Sequence, residues 1–474
     1  MTQPMDRFLW AGAAQVEITP PLGTELSGNF DAVAATTVQR PLYATALALR
    51  SAATTVVLVS CDVLMMRAVD VVDPAKAGIA ARTGIAADHV LVSATHTHAG
   101  PATVDLGVSV PDPAWLTRLV AAIVEAAVTA VDRLVPAQLG YGQAPVAGVC
   151  FNRRHLRRDG LVEFNPGPGR TDLVGPAGPV DPTVTSLIVE DLDGTPLAVW
   201  ANLAVHHVGT GSRSAISSDY FGACAEQVAA LLGPGVVTQV TNGCSGDINN
   251  IDLSGAQPTT GARRAWTVGT AVAGAAMAGT LMAPRDRDVE ITAETVDVEL
   301  ERVPVTEADL TIAREVLAGN RTDAPFSYVR GMAIPVSLVH WHADQLTKLA
   351  TLPERATVRA SIVTIGDLCL VGLPGEMFVE LGLAIRAASR FPVTAVIGLA
   401  NDHVGYVPTA RGFAEGGYET WRNQVSWTAP GSGERLVAAV VARLSGPSRR
   451  STAGPTSGAA GTPPAPHPAR PRPR

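Results

Sequence analysis

The chain is 474 residues long, 47% hydrophobic and 17% charged, a globular composition with ample material for a buried core. That length leaves one large domain or two smaller ones open. A net charge of −7 argues against nucleic acid or an anionic membrane as the main partner.

Near the start, the apolar stretch Phe8-Leu9-Trp10-Ala11 is too short for a signal peptide. The apolar run Val56–Val59 leads to Asp62, a candidate for orienting ligand histidines or for capping a turn. Val90-Leu91-Val92 then ends in Ser93-Ala94-Thr95-His96-Thr97-His98, with a Gly100-Pro101 turn behind it. On extended backbone, residues i and i+2 point to the same side, so both imidazoles can face one pocket. Neutral imidazole is the commonest nitrogen ligand for zinc, and we read His96 and His98 as part of a metal site.

The stretch Trp115–Leu134 predicts a helix. The run Leu197-Ala198-Val199-Trp200 leads to His206-His207; extended neighbours point oppositely, so at most one is a ligand. Phe221–Leu232 predicts a helix behind the capping candidates Ser218-Asp219. Val236–Val240 ends in Thr241-Asn242-Gly243, and Gly246-Asp247-Ile248-Asn249 follows, with Asp247 a second candidate for orienting a histidine.

Ala265–Ala283 carries no charge and is long enough to span a bilayer, but its Ala, Gly, Thr and Val content fits a close-packed core helix better. Thr306 and Asp309 give a partial capping-box signal for a helix over Glu307–Leu317. His340-Trp341-His342 repeats the HxH spelling but runs into helix-like Ala343-Asp344-Gln345-Leu346, so it is assigned to a lid or surface element. Leu368–Val371 ends in Gly372-Leu373-Pro374-Gly375-Glu376, ahead of a helix over Met377–Ser389. Glu376 is a carboxylate ligand, a general base, or a first-turn glutamate that complements the helix dipole. Val393–Leu399 ends in Ala400-Asn401-Asp402-His403-Val404-Gly405-Tyr406.

Five apolar runs thus finish in polar or metal-capable residues. In α/β proteins the strands are buried and ligands gather beyond their carboxyl ends, which predicts an α/β fold with the site on loops after strand ends. Five widely spaced cysteines without a CxxC pair read as small buried hydrophobes in a reducing, cytoplasmic compartment. Phosphate-binding glycine loops and a GxSxG elbow are absent from the sequence. Residues 1–445 read as the folded region, and the Ser/Gly/Ala/Pro/Arg-rich tail over 446–474 as disordered.

Taken in order, Val16-Glu17-Ile18-Thr19-Pro20, Leu42-Tyr43-Ala44, Ala94-Thr95-His96-Thr97-His98-Ala99-Gly100-Pro101, Ala204-Val205-His206, Gly246-Asp247-Ile248-Asn249, Pro374-Gly375-Glu376 and Gly405-Tyr406 resemble the neutral/alkaline non-lysosomal ceramidase family, in its amino-terminal catalytic domain. The resemblance implies mixed β-sheets flanked by helices. It also implies one zinc ion per chain, held by His96, His206, Glu376 and Tyr406. His98 would lie beside the metal water, and Arg153, in Asn152-Arg153, near the scissile carbonyl. Where the family has a catalytic serine in GDxS, this chain has Asn249. The family's carboxyl-terminal immunoglobulin-like domain and secretion signal have no counterpart in the sequence.

An amide donates a hydrogen bond to an oxyanion but is not a nucleophile, so the implied chemistry is hydrolysis of an N-acyl bond by metal-activated water. The expected substrate is a small N-acyl or ester molecule other than ceramide itself. Three alternatives compete: an esterase on the same site, a TIM-barrel amidohydrolase opening with its own HxH, and a non-catalytic binding protein that retains the metal.

Overall fold

The computed structural model describes residues 8–255 and 258–445; the tail from Gly446 lies outside the described residues. An eight-stranded sheet is built from Trp10–Glu17 (β1), Tyr43–Ser51 (β2), Thr54–Cys61 (β3), Val90–Ala94 (β4), Val135–Pro145 (β5), Thr183–Asp191 (β6), Pro196–Leu203 (β7) and Val237–Asn242 (β8). Its order is β8-β7-β6-β5-β1-β2-β3-β4. A four-stranded sheet runs Ile291–Glu301 (β9), Arg355–Ile365 (β10), Leu368–Gly372 (β11) and Val393–Ile397 (β12) in that order.

The two sheets face each other across a core that includes Leu49, Leu139, Leu187, Trp200, Ile365 and Leu370. Helices cover the outer faces. Asp73–Thr83 (α1) and Pro113–Asp132 (α2) pack on β2 and β3. Asp219–Leu232 (α3) packs on β8, and Ala262–Thr280 (α4) on β5 and β6. The outer face of the second sheet carries Val379–Ala388 and Ser432–Leu444. The result is a helix–sheet–sheet–helix sandwich of mixed sheets, as expected of the α/β class. Antiparallel pairing of β1 with β2 and of β2 with β3 excludes the all-parallel TIM barrel.

Local chemistry explains the individual elements. Thr306 and Asp309 form the reciprocal capping box that opens the helix Glu307–Leu317, as the sequence predicts. The uncharged segment near Ala265 is the buried helix α4, with Val268, Val272 and Ala276 in the core. Helix α2 is the one described helix long and apolar enough to cross a bilayer, and it buries Leu119, Ile123, Ala126 and Ala130 against the sheet. All five cysteines are free and buried, the small-hydrophobe role expected of them.

Within the two large sheets, three strand pairs are parallel: β3 with β4, β7 with β8, and β11 with β12. The first two lie at opposite edges of the large sheet, and the sheet curls to bring those edges together. Gln239 of β8 spans the gap, donating to the carbonyls of Thr45 in β2 (2.9 Å) and Leu58 in β3 (3.0 Å). Beyond the strands, Ala94 N–H donates to Leu399 O (3.1 Å) and Gly398 N–H to Asn242 O (3.0 Å). The ends of β4, β8 and β12 are thereby laced to one another, and the loops that follow them meet.

Candidate metal centre

The loop after β4 carries His96 and His98, the loop after β7 His206, and the turn after β11 Glu376. Glu376 and Tyr406 are direct partners in a short parallel pairing of Glu376–Met377 with Tyr406–Val407. Glycine permits this close assembly. A Cβ on Gly246 would sit 2.4 Å from the Glu376 carbonyl oxygen, and Gly405 is left-handed (φ +76°) with Ser426 against its α-carbon. His96 itself is left-handed, φ +71°, although it is not glycine. The extended backbone assumed for the HxH pair is therefore wrong, yet both rings still face the site.

Backbone carbonyls fix the imidazole tautomers. Nδ1 of His96 lies 2.7 Å from Leu64 O, Nδ1 of His206 lies 2.9 Å from Ser245 O, and Nδ1 of His98 lies 2.8 Å from Gly28 O. A carbonyl only accepts, so each Nδ1 carries the proton and each Nε2 presents a lone pair. These lone pairs converge. The Nε2 atoms of His96 and His206 are 3.1 Å apart, and those of His96 and His98 are 3.3 Å apart. Glu376 Oε2 joins them at 3.2 Å from His96 Nε2 and 3.4 Å from His206 Nε2, and it is buried with no hydrogen-bond donor.

Facing lone pairs at such distances repel unless a cation lies among them. A tetrahedral zinc with bonds of 2.0–2.1 Å has ligand atoms about 3.3 Å apart, which is the spacing found here. His96 Nε2, His206 Nε2 and Glu376 Oε2 therefore fit a metal ion, and the ring nitrogens of His96, His98 and His206 all lie within 4.8 Å of one another, so His98 faces the same point.

Titration behaviour agrees with that fit. Burial, together with Arg153 and His96, depresses His206 to about 4, so it is neutral at pH 7. Burial depresses His98 too, reinforced by His207, His96 and His206. Tyr406 is pushed well above its usual value by burial, Glu376 and Tyr418, against a downward pull from Arg153. A tyrosinate at this position requires a cation.

Arg153 is buried beside the cluster, with Nε on Glu419 Oε1 (2.8 Å) and Nη2 on Gly246 O (2.6 Å), and its guanidinium lies over the rings of Phe164 (5.0 Å) and Tyr406 (5.4 Å). Asn249 lines a cleft of about 510 Å³ together with Arg153, His206 and His98. Its amide donates to Asn165 Oδ1 (2.8 Å). On the other side of His98, Glu376 and Tyr406 lies a smaller cavity of about 110 Å³, walled by Phe30, Leu64, Met65, Leu106, Val108 and Trp341.

Two expected orienting acids behave differently from each other, and neither touches a histidine. Asp247 accepts from Asn152 Nδ2 (2.9 Å) and Val379 N–H (2.8 Å), and its carbonyl accepts from Arg153 N–H (2.9 Å), so it organises the Arg153 segment. Asp62 accepts from Tyr43 N–H (2.9 Å) and ties β2 to the end of β3. The second HxH is only partly at the surface. It lies in the helix Val336–Ala350, where i and i+2 diverge: His340 is exposed, Trp341 reaches the small cavity, and His342 is buried.

Two histidines were not assigned from sequence. His207 stacks on His98 with ring centroids 3.6 Å apart, and His403 Nε2 stands 3.5 Å from Glu376 Oε1. His403 Nδ1 accepts from Gly405 N–H (3.1 Å), so its Nε2 carries the proton facing that carboxylate. The only sequence signal for His403 was its place in the polar run after β12.

No family model matches the chain, and no curated protein matches its sequence. Solved structures do match. A ceramidase complexed with C2 superposes with a TM-score of 0.69 at 18% identity, covering 93% of this chain and 75% of that one. Neutral ceramidase from Pseudomonas aeruginosa gives 0.67 at 19% identity, with the same coverages of 93% and 75%. Fold and site together define an α/β sandwich protein with a buried histidine–carboxylate centre at its strand ends. Its fold is that of the neutral ceramidases.

Proposed function

We propose that the protein is a zinc-dependent hydrolase of an N-acyl amide bond, ceramidase-like in fold and site but acting on a molecule other than ceramide. The observation that carries this reading is the convergence of His96 Nε2, His206 Nε2 and Glu376 Oε2, all acceptors, at 3.1–3.4 Å. His96, His206, Glu376 and Tyr406 would hold the ion. Zinc in such a site supplies Lewis acidity and brings a water's pKa down to roughly 7.

The chain's own groups do the rest. His98 is neutral at pH 7 with its Nε2 lone pair facing the centre, so it takes a proton and returns it to the leaving amine. His207, stacked on its ring, and Gly28 O fix its orientation. Arg153, held by Glu419 and Gly246 O, places positive charge where the acyl oxygen becomes an oxyanion, and Asn249 adds an amide donor from the cleft it shares with Arg153. The absence of a serine at position 249 leaves water as the nucleophile.

The test is elemental analysis of purified protein together with a panel of N-acyl amines, acylated sugars, ceramides and chromogenic esters. We expect close to one zinc per chain and faster turnover of amides than of esters. A His96→Ala protein that stays zinc-replete and active overturns the reading. Bound metal with no hydrolysis across the panel replaces it with a binding protein.

A further inference from the structure

Resting on the metal-hydrolase reading, we propose that Asp219 is a positioning residue of the centre. Its carboxylate clamps the backbone that follows His206 and His207 and, through Ser217, ties that loop to the one carrying His96 and His98. In the sequence, Ser218-Asp219 reads only as a cap for α3.

The structure gives Asp219 another task. Ser218 stands at the N-cap of α3 without a side-chain cap bond. Asp219 is 1% exposed, and its carboxylate turns toward the loop after β7. Its Oδ1 accepts from Val208 N–H (3.0 Å) and Tyr220 N–H (2.6 Å), and its Oδ2 accepts from Gly209 N–H (2.6 Å). Val208 and Gly209 directly follow His207. The Tyr220 hydroxyl donates to the carbonyl of Val205, just before His206, at 3.1 Å. The start of α3 thus holds the two histidines from both sides.

The same segment reaches the other loop. Ser217 N–H donates to Ala99 O (3.0 Å), and the Thr97 hydroxyl, between His96 and His98, donates to Ser217 O (2.6 Å). Asp219 N–H closes the unit on Ser217 Oγ (3.0 Å). Loops from opposite sides of the large sheet therefore meet on residues 217–220.

Holding them there strains the backbone. Asp219 is left-handed, φ +54°, a conformation uncommon outside glycine and best tolerated by Asn and Asp. Such strain persists where surrounding bonds over-determine it, and it collects at functional sites. The bonds that over-determine it here are those that join the two histidine loops. Ser245 O sets the ring of His206, but its backbone, and the stack of His207 on His98, depend on where Val208 and Gly209 lie.

The test reads metal binding by the apoprotein, not turnover. Asp219→Asn and Asp219→Gly both accept the left-handed backbone; Asn keeps one acceptor and turns an NH2 group on the other amide, and Gly removes both acceptors. Zinc affinity, measured by competition with a chromogenic chelator, should fall about tenfold to a hundredfold in each. The visible absorption band of the cobalt-substituted protein should shift as well. Asp309→Asn is the control, because Asp309 is a buried acid that accepts from Thr306 and Ser327 in the capping box of another helix. It should lower the urea midpoint and leave zinc affinity and the cobalt band as in the wild type.

A folded Asp219 variant with zinc affinity within about twofold of the wild type and an unchanged cobalt band overturns the proposal. So does an equal loss of affinity in Asp309→Asn, since general destabilisation then accounts for both. If neither Asp219 variant folds, Thr97→Val removes the hydroxyl that holds Ser217 O and should weaken zinc binding several-fold; unchanged affinity there overturns the proposal too. Wild-type protein that binds zinc and responds to the Asp219 variants, yet cleaves no amide or ester, removes the hydrolase reading and leaves the clamp standing.

Discussion

Two buried clusters of ionisable groups share a border at Arg153, and they are balanced in different ways. In the first, Arg153 and Arg154 both bond Glu419, at 2.8 and 2.9 Å, and their remaining donors reach the carbonyls of Gly246, Gly416 and Gly412. Positive and negative charge meet there with hydrogen bonds already made. In the second, three imidazole lone pairs and a carboxylate oxygen face inward, and Glu376 Oε2 has no donor. Burial penalises both, but only the first is satisfied by protein alone. Acceptors gathered around a common point, the imidazoles each held by a backbone carbonyl, are what a cation site requires.

The sharpest way to break this contrast is to remove an acceptor from the second cluster. His96→Ala or Glu376→Ala should lose the bound metal and reduce hydrolysis to background, measured by elemental analysis and by turnover on the same preparation. Retained metal in both variants would mean that the lone pairs serve another end. Glu419→Ala attacks the first cluster and should leave the buried Arg153 without a carboxylate and Arg154 with only its longer contact to Glu415, lowering stability by about 3–5 kcal/mol in chemical denaturation. A loss below about 1 kcal/mol would show that solvent reaches this pair, against its complete burial. Asn249→Ala touches only the cleft side. It should lower kcat by about a hundredfold or more with metal content unchanged, as loss of one oxyanion donor does. Unchanged kcat would strip Asn249 of that role.

How far the sequence spoke follows from the same geometry. Five strand ends were legible because a buried run that stops at Gly, Pro, Asn or His announces both the strand and its loop. His96, His98, His206 and Glu376 lie where those runs stop. Which way a loop side chain points was not legible, because it depends on dihedral angles such as the left-handed backbone at His96 and Gly405. His403 and His207 were missed for that reason. Tyr406 came only from the family resemblance, since its pairing with Glu376 joins loops that no local pattern connects. The curl that unites opposite sheet edges hangs on Gln239, an unremarkable polar residue in an apolar strand. His340 and His342 were read as a lid or surface element because the HxH spelling does not show that one of them faces the core.

A third buried acid extends the comparison. Asp62 has neither an arginine nor a metal-type cluster beside it, only the Tyr43 N–H and the Thr95 hydroxyl. Burial raises its pKa to about 7 against a downward pull from those two donors. With a pKa near 4 in the unfolded chain, the folded protein keeps a proton between about pH 4 and 7 that the unfolded chain has lost. Stability attached to this group is thus complete below pH 4 and declines as pH rises through 7, by up to about 1.4 kcal/mol per unit. Asp62→Asn keeps the acceptor for Tyr43 and removes the titration. Urea midpoints at pH 5, 6 and 7 should fall for the wild type and stay level by comparison in the variant. Equal slopes in the two proteins would mean that Asp62 is ionised in the fold, with solvent or a neighbouring cation doing for it what Arg153 does for Glu419.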